Sequence, residues 1–143
     1  MRILEFMRLY LLASLFCLFS MNVLSETCPT AFDVKHKDLK DWKIYDSDNG
    51  ILLSKAREKT FKQNAFVLLL AEWGRHGKDG PIDSYYRNKT GSVLEAYLAK
   101  DHFVPRNLAQ VWYQVTGAMH CAAGMNRCQF NSISNKTKRL AKR

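Results

Sequence analysis

The hydrophobic positions of this chain fall in short runs divided by clusters of glycine, asparagine, aspartate and proline, a pattern that predicts strands more than helices. Trp42, Lys43, Ile44 and Tyr45 on one side and Ile51, Leu52 and Leu53 on the other flank Asn49-Gly50, two residues that tolerate the positive φ of a tight hairpin. Residues 65–73, AFVLLLAEW, are too continuously apolar for a half-exposed strand and short enough for a buried one. Length alone leaves open a helix closed by Gly74. Gly74, Gly77, Gly80 and Pro81 then make GRHGKDGP a loop, and residues 82–87 and 92–99 resume the strand pattern, with Leu94, Ala96 and Leu98 alternating with Val93, Glu95 and Tyr97. After a break at residues 101–107, LAQVWYQV at 108–115 alternates again. There Ala109, Val111, Tyr113 and Val115 are the set expected to be buried, with Trp112 covering a sheet edge or the other face.

The first residues carry a different signal. Arg2 and Arg8 precede an uninterrupted apolar or small run over residues 9–21, and Val23-Leu24-Ser25 has the residue types of a cleavage box, so export with cleavage before Glu26 is expected. A membrane anchor would need about 20 apolar residues, and Arg8 blocks extension of the run. The expected organisation is a signal peptide over residues 1–25, one exported domain over 26–131 and a basic, disordered tail over 132–143, with no integral membrane segment after cleavage. The expected location is therefore secreted or periplasmic.

Charge sharpens this division. The full chain has a net charge of +9, of which Lys136, Lys138, Arg139, Lys142 and Arg143 supply five in a tail without acids. The body is close to balanced. The tail is read as a solvated end, or as an electrostatic arm for an anionic surface.

Four cysteines are present, and Cys17 leaves with the leader. Cys121 and Cys128 flank AAGMNR, in which Gly124 and Asn126 favour a turn that can bring them face to face. Zinc would need four ligands, commonly with two-residue spacings, and a redox pair would prefer Cys-x-x-Cys; neither pattern occurs. A disulfide in an oxidising compartment is the expected chemistry, with Cys121 and Cys128 paired and Cys28 left as an unpaired thiol that could link two copies. Loop entropy alone would favour a longer link through Cys28.

Cys28-Pro29, residues 61–73 ending in Trp73, Ser84-Tyr85-Tyr86, Val93-Leu94, Trp112, Cys121 and Cys128-Gln129-Phe130 together cover nearly the whole exported part. In these elements the chain resembles a class of small exported bacterial proteins of unknown function, which open with Cys-Pro and close with Cys and Cys-x-Phe or Cys-x-Tyr. The resemblance implies a small β-rich exported domain and no catalytic residues. It also implies a cysteine at position 84, where this chain has serine, and so accounts for the odd thiol. The fold class expected is mainly β, a small antiparallel sheet or sandwich holding a disulfide.

Candidate chemistry is sparse. Asp46 to Gly50 has the look of a calcium loop, but glycine stands at its fifth position and Arg57 where the closing glutamate belongs, so it reads as turn chemistry. His36, His76, His102 and His120 have no metal-ligand spacing, and no nucleophile elbow, zinc-protease or phosphate-loop motif occurs. No metal and no cofactor are expected. Arg75, His76 and Lys78 share a glycine-rich loop, the best candidate binding loop. The expected function is an exported binding or interaction module for a protein, glycan or anionic surface, with nucleic acid not the expected ligand. The alternative is a secreted basic hydrolase, RNase-like, using His76 or another histidine.

Overall fold

The structure, a computed structural model, describes residues 25–78 and 80–133. In chain order its elements are β1 (Glu26–Thr27), α1 (Ala31–His36), β2 (Lys43–Asp46), α2 (Lys55–Asn64), β3 (Val67–Trp73), β4 (Ile82–Arg87), β5 (Val93–Lys100), β6 (Phe103–Pro105), α3 (Leu108–Val111), β7 (Tyr113–Val115), β8 (Ala118–Cys121) and β9 (Gln129–Ser132). The strands form two antiparallel sheets, so the protein is mainly β, as the alternation predicts. One has six strands in the order β2-β5-β4-β3-β8-β7, the other three in the order β1-β9-β6.

Both layers that cover the six-stranded sheet lie on the same face. At one end the small sheet packs there around Cys28, Ala71, Ile82, Phe103, Trp112, Cys121, Cys128 and Phe130. At the other end α1 and α2 close a second cluster of Val34, Ile44, Leu53, Phe61, Ala65, Tyr86, Ala96 and Leu98. Neither cluster reaches the opposite face. That face carries the alternate residues of each strand, and it holds the candidate site.

The two longer helices depart from the reading of the body as short strands. Helix α1 is opened by a capping box, in which Thr30 Oγ1 accepts from the Asp33 amide at 2.9 Å and the Asp33 carboxylate accepts from the Thr30 amide. Helix α2 starts at the N-cap Ser54 and carries a Glu58–Lys62 ion pair of 2.7 Å. Each buries a single apolar side chain, Val34 and Phe61. Without an apolar stripe, neither helix shows a 3.6-residue period in the sequence.

Three further segments differ in detail. Leu108–Val111 forms a helical turn entered through Asn107 at φ 53, and only Tyr113–Val115 is strand. The turn changes the phase, so Trp112 is buried while Tyr113 and Val115 are exposed, the reverse of the expectation. AFVLLLAEW supplies β3, but Phe66 and Val67 are exposed because only one face of the sheet is covered. Asn49-Gly50 does turn the chain, with Gly50 at φ +68 and the Asp46 carboxylate accepting from the Asp48 and Asn49 amides. The return arm makes only the Tyr45–Leu52 bridge, and β2 instead pairs with β5.

Cys121 and Cys128 form the disulfide, with a Cα–Cα separation of 5.6 Å. Gly124 at φ +91 accepts from the Cys128 amide and closes the turn between them. Cys121 ends β8 of the large sheet and Cys128 immediately precedes β9 of the small one, so the bridge staples the two layers. Cys28 is unpaired but buried, 1% exposed, and burial pushes its thiol up to about 12. Linkage of two copies through Cys28 is therefore corrected: the thiol points into the core, away from any partner. The ordered chain also runs past residue 131, since Ser132 pairs with Phe103 and the Ile133 amide donates to the His102 carbonyl. The expected signal peptide, all but Ser25, lies outside the described residues, as do Lys136, Lys138, Arg139, Lys142 and Arg143. No described helix is long and apolar enough to cross a membrane.

Candidate functional site

Antiparallel register assembles the site. Glu72 of β3 is paired on one side with His120 of β8 and on the other with Asp83 of β4, and His120 is paired with Tyr113 of β7. Two residues along, Leu70, Tyr85, Tyr97 and Tyr45 form a parallel row through β3, β4, β5 and β2. Residues two apart in a strand share a face, so both rows lie together on the uncovered side.

Glu72 is the hub. Its side chain is 1% exposed, yet it is enclosed by polar groups rather than by the hydrophobic clusters. The Arg75 guanidinium grips it with Nε 2.6 Å from Oε1 and Nη2 2.9 Å from Oε2. The Tyr85 hydroxyl donates to Oε1 at 3.1 Å, and His120 Nε2 lies 2.6 Å from Oε2. Four contacts from three side chains compensate the buried carboxylate. The same pairing raises the Arg75 pKa, while burial, followed by the charge of Glu72, raises that of Tyr85. Because Nε2 of His120 is turned to Glu72, the carboxylate fixes the ring and leaves Nδ1 as its other polar atom. The Tyr113 ring lies edge-on to that imidazole, 6.0 Å between centroids.

Asp83 stands beside this hub without such compensation. It is 1% exposed, and its Oδ1 has no hydrogen-bond partner. Its other oxygen is 3.7 Å from His76 Nε2, too far for a hydrogen bond. Burial pushes its carboxyl up to about 7, reinforced by the charges of Glu72 and Asp101 and opposed by Arg75. A cavity of about 200 Å³ opens next to it, lined by Tyr45, His76, Pro81, Asp83, Tyr97 and Asp101 among others. The tyrosines continue along the face, with ring centroids 5.8 Å apart for Tyr45–Tyr97 and 5.3 Å for Tyr85–Tyr97.

Two of the three residues of the expected binding loop belong to this site: Arg75 on Glu72, and His76 at the mouth of the Asp83 cavity. Lys78 stays exposed on the loop. His120, which the sequence offers only as one histidine of four, is tied into the hub, whereas His36 packs on Phe32 at 4.5 Å. Glu72 and Asp83 escape sequence reading altogether. Their one signal is a lone carboxylate within each largely apolar or aromatic strand, where a charge needs a reason.

On the opposite side of the molecule, Lys35, Lys55, Lys59 and Lys62 line a second groove, of about 540 Å³, between α1 and α2. Glu58 pairs with Lys55 and Lys62, so this groove is less basic than its lysine count. Among the described residues, no group of three or more histidine, cysteine, aspartate or glutamate side chains is placed to hold a metal ion. No protein-family model, no curated protein and no solved structure matches this chain.

Proposed function

We propose that the protein is an exported binding module that receives its ligand on the uncovered face of the six-stranded sheet. The observation that carries this reading is the row Tyr45–Tyr97–Tyr85 running into the Glu72–Arg75–His120 hub. The half-buried rings of Tyr45 and Tyr85, held by the buried Tyr97 between them, offer apolar contact at small entropic cost, and the hub beside them holds its donors in fixed positions. Such a face suits a ligand with a ring or planar surface and a polar edge, as in a glycan or an exposed protein side chain. Export places the partner in the envelope or outside the cell.

The test is an amide-shift titration of the isotope-labelled protein against soluble glycans and peptides. Shifts for a binding ligand should gather at Tyr45, Arg75, Tyr85, Tyr97, Tyr113 and His120. Shifts confined to α1, α2 or the residues after 133 would reject the face.

One contact favours a second reading, a hydrolase. The Glu72–His120 pair has the form of a general base oriented by a carboxylate, and Arg75 has N–H groups left over for an anionic oxygen. This reading moves the catalytic role from His76 to His120. Turnover of RNA or simple esters that is lost in His120→Ala and kept in His76→Ala would support it; absence of turnover in the wild type would leave the binding reading.

A further inference from the structure

We infer that the cavity beneath the His76 loop is a seat for an organic cation, an ammonium or guanidinium group carried by the ligand of the sheet face. The inference rests on the binding reading and names the chemistry that one part of the face selects.

Asp83 is the first reason. A carboxylate that is 2% exposed in its side chain and has an oxygen without a partner is costly to keep, and buried polar groups in folded proteins nearly always have one. The neighbouring cations do not supply it. Arg75 is committed to Glu72 through two contacts, and His76 stands 3.7 Å from the other Asp83 oxygen with half its side chain in solvent. Asp83 lines the cavity, so a donor entering there would meet its carboxylate.

The walls decide which donor. Tyr45 and Tyr97 present ring surface, and Asp101 adds a second carboxylate at the rim. Aromatic faces and carboxylates together attract a cation and repel an anion. A tightly held inorganic ion commonly takes three or more histidine, cysteine, aspartate or glutamate ligands, and no such group is assembled among the described residues. The space is about 200 Å³, below the ~300–1,000 Å³ typical of pockets that hold a whole small ligand. It therefore admits a single charged group on its stem, such as the end of a lysine or arginine side chain or the amine of a small molecule. His76 lines the cavity with half its side chain in solvent and stands 3.7 Å from Asp83, so it can turn outward as the group enters.

The experiment titrates the purified protein with ethylguanidinium and with n-butylammonium, using ethylurea and sodium ion as neutral and inorganic controls, and follows amide shifts. Both cations should move Asp83, Tyr97 and Ala99, ethylurea should not, and Asp83→Asn should weaken the response by about tenfold or more. Asp101→Asn, an exposed change, should weaken it less. A second arm uses short peptides with a single arginine or lysine against free arginine and lysine, which separates a protein partner from a small amine. Equal shifts with ethylurea, an unaltered response in Asp83→Asn, or no saturable shift with either cation would overturn the seat. In those cases a glycan or peptide that still footprints on Tyr85, Tyr113 and His120 would keep the binding face, so the two failures are distinguishable.

Discussion

Replacing Asp83 by asparagine should leave stability nearly unchanged below about pH 3.8 and raise it increasingly above that. The folded carboxyl titrates at about 7 against an ordinary 3.8, because burial, helped by Glu72 and Asp101, disfavours its charged form more than Arg75 favours it. The folded state therefore binds the proton more tightly than the unfolded chain does. This contribution is fully present below about pH 3.8, and it is lost as pH rises through about 7. The separation corresponds to about 4 kcal/mol across the whole range. Between about pH 5 and about pH 8.5 the wild type should lose about 2 to 3 kcal/mol that Asp83→Asn does not lose. Any fixed effect of the amide, including its own unmet hydrogen bonds, cancels in the difference between the two pH values. Urea unfolding of both proteins at several pH values, compared at equal slope, measures the quantity directly. A stability difference that stays flat over this range would mean that Asp83 is not desolvated as the structure has it. A difference of opposite sign would mean that the ionised carboxylate has a strong partner in the folded state.

Three more outcomes follow from the packing. Ser84 is fully buried with its hydroxyl beside the Cys28 thiol and without a well-formed hydrogen bond, so Ser84→Cys should form a second bridge, titrate no free thiol after denaturation and gain up to about 4 kcal/mol of loop entropy; two titratable thiols would show that the pair cannot close. Replacing both Cys121 and Cys128 by alanine should cost about 2.5 kcal/mol from the eight-residue loop, read from chemical denaturation, and should loosen β9 in amide exchange ahead of β4 and β5. Removing residues 134–143 should leave the melting temperature nearly unchanged and sharply reduce retention on heparin, whereas stopping at Asn131 also takes Ser132 from its pairing with Phe103 and should lower the melting temperature.

Composition and pattern carried the mainly β class, the strand segments of β3, β4 and β5, the turn at Asn49-Gly50 and the local disulfide, because each depends on residues near one another in the chain. Alternation at 94, 96 and 98 has one physical meaning whatever surrounds it, and a glycine-bearing turn between Cys121 and Cys128 can close without help from the rest of the fold. The helices α1 and α2 were hidden for the complementary reason: one buried side chain each makes no stripe, and only their capping residues betray them. The candidate site was beyond sequence reading because it is a product of register. Glu72, Asp83, Tyr97 and His120 belong to four strands spread over 49 residues, and nothing local says that 72 stands between 83 and 120. A slip of one residue in any pairing would turn that strand's side chains to the other face and scatter the hub. Tertiary structure alone decided which face of the sheet the helices and the small sheet would cover. Covering the Ala71, Ile82 and Leu98 side left the polar and aromatic residues of the same strands facing outward together.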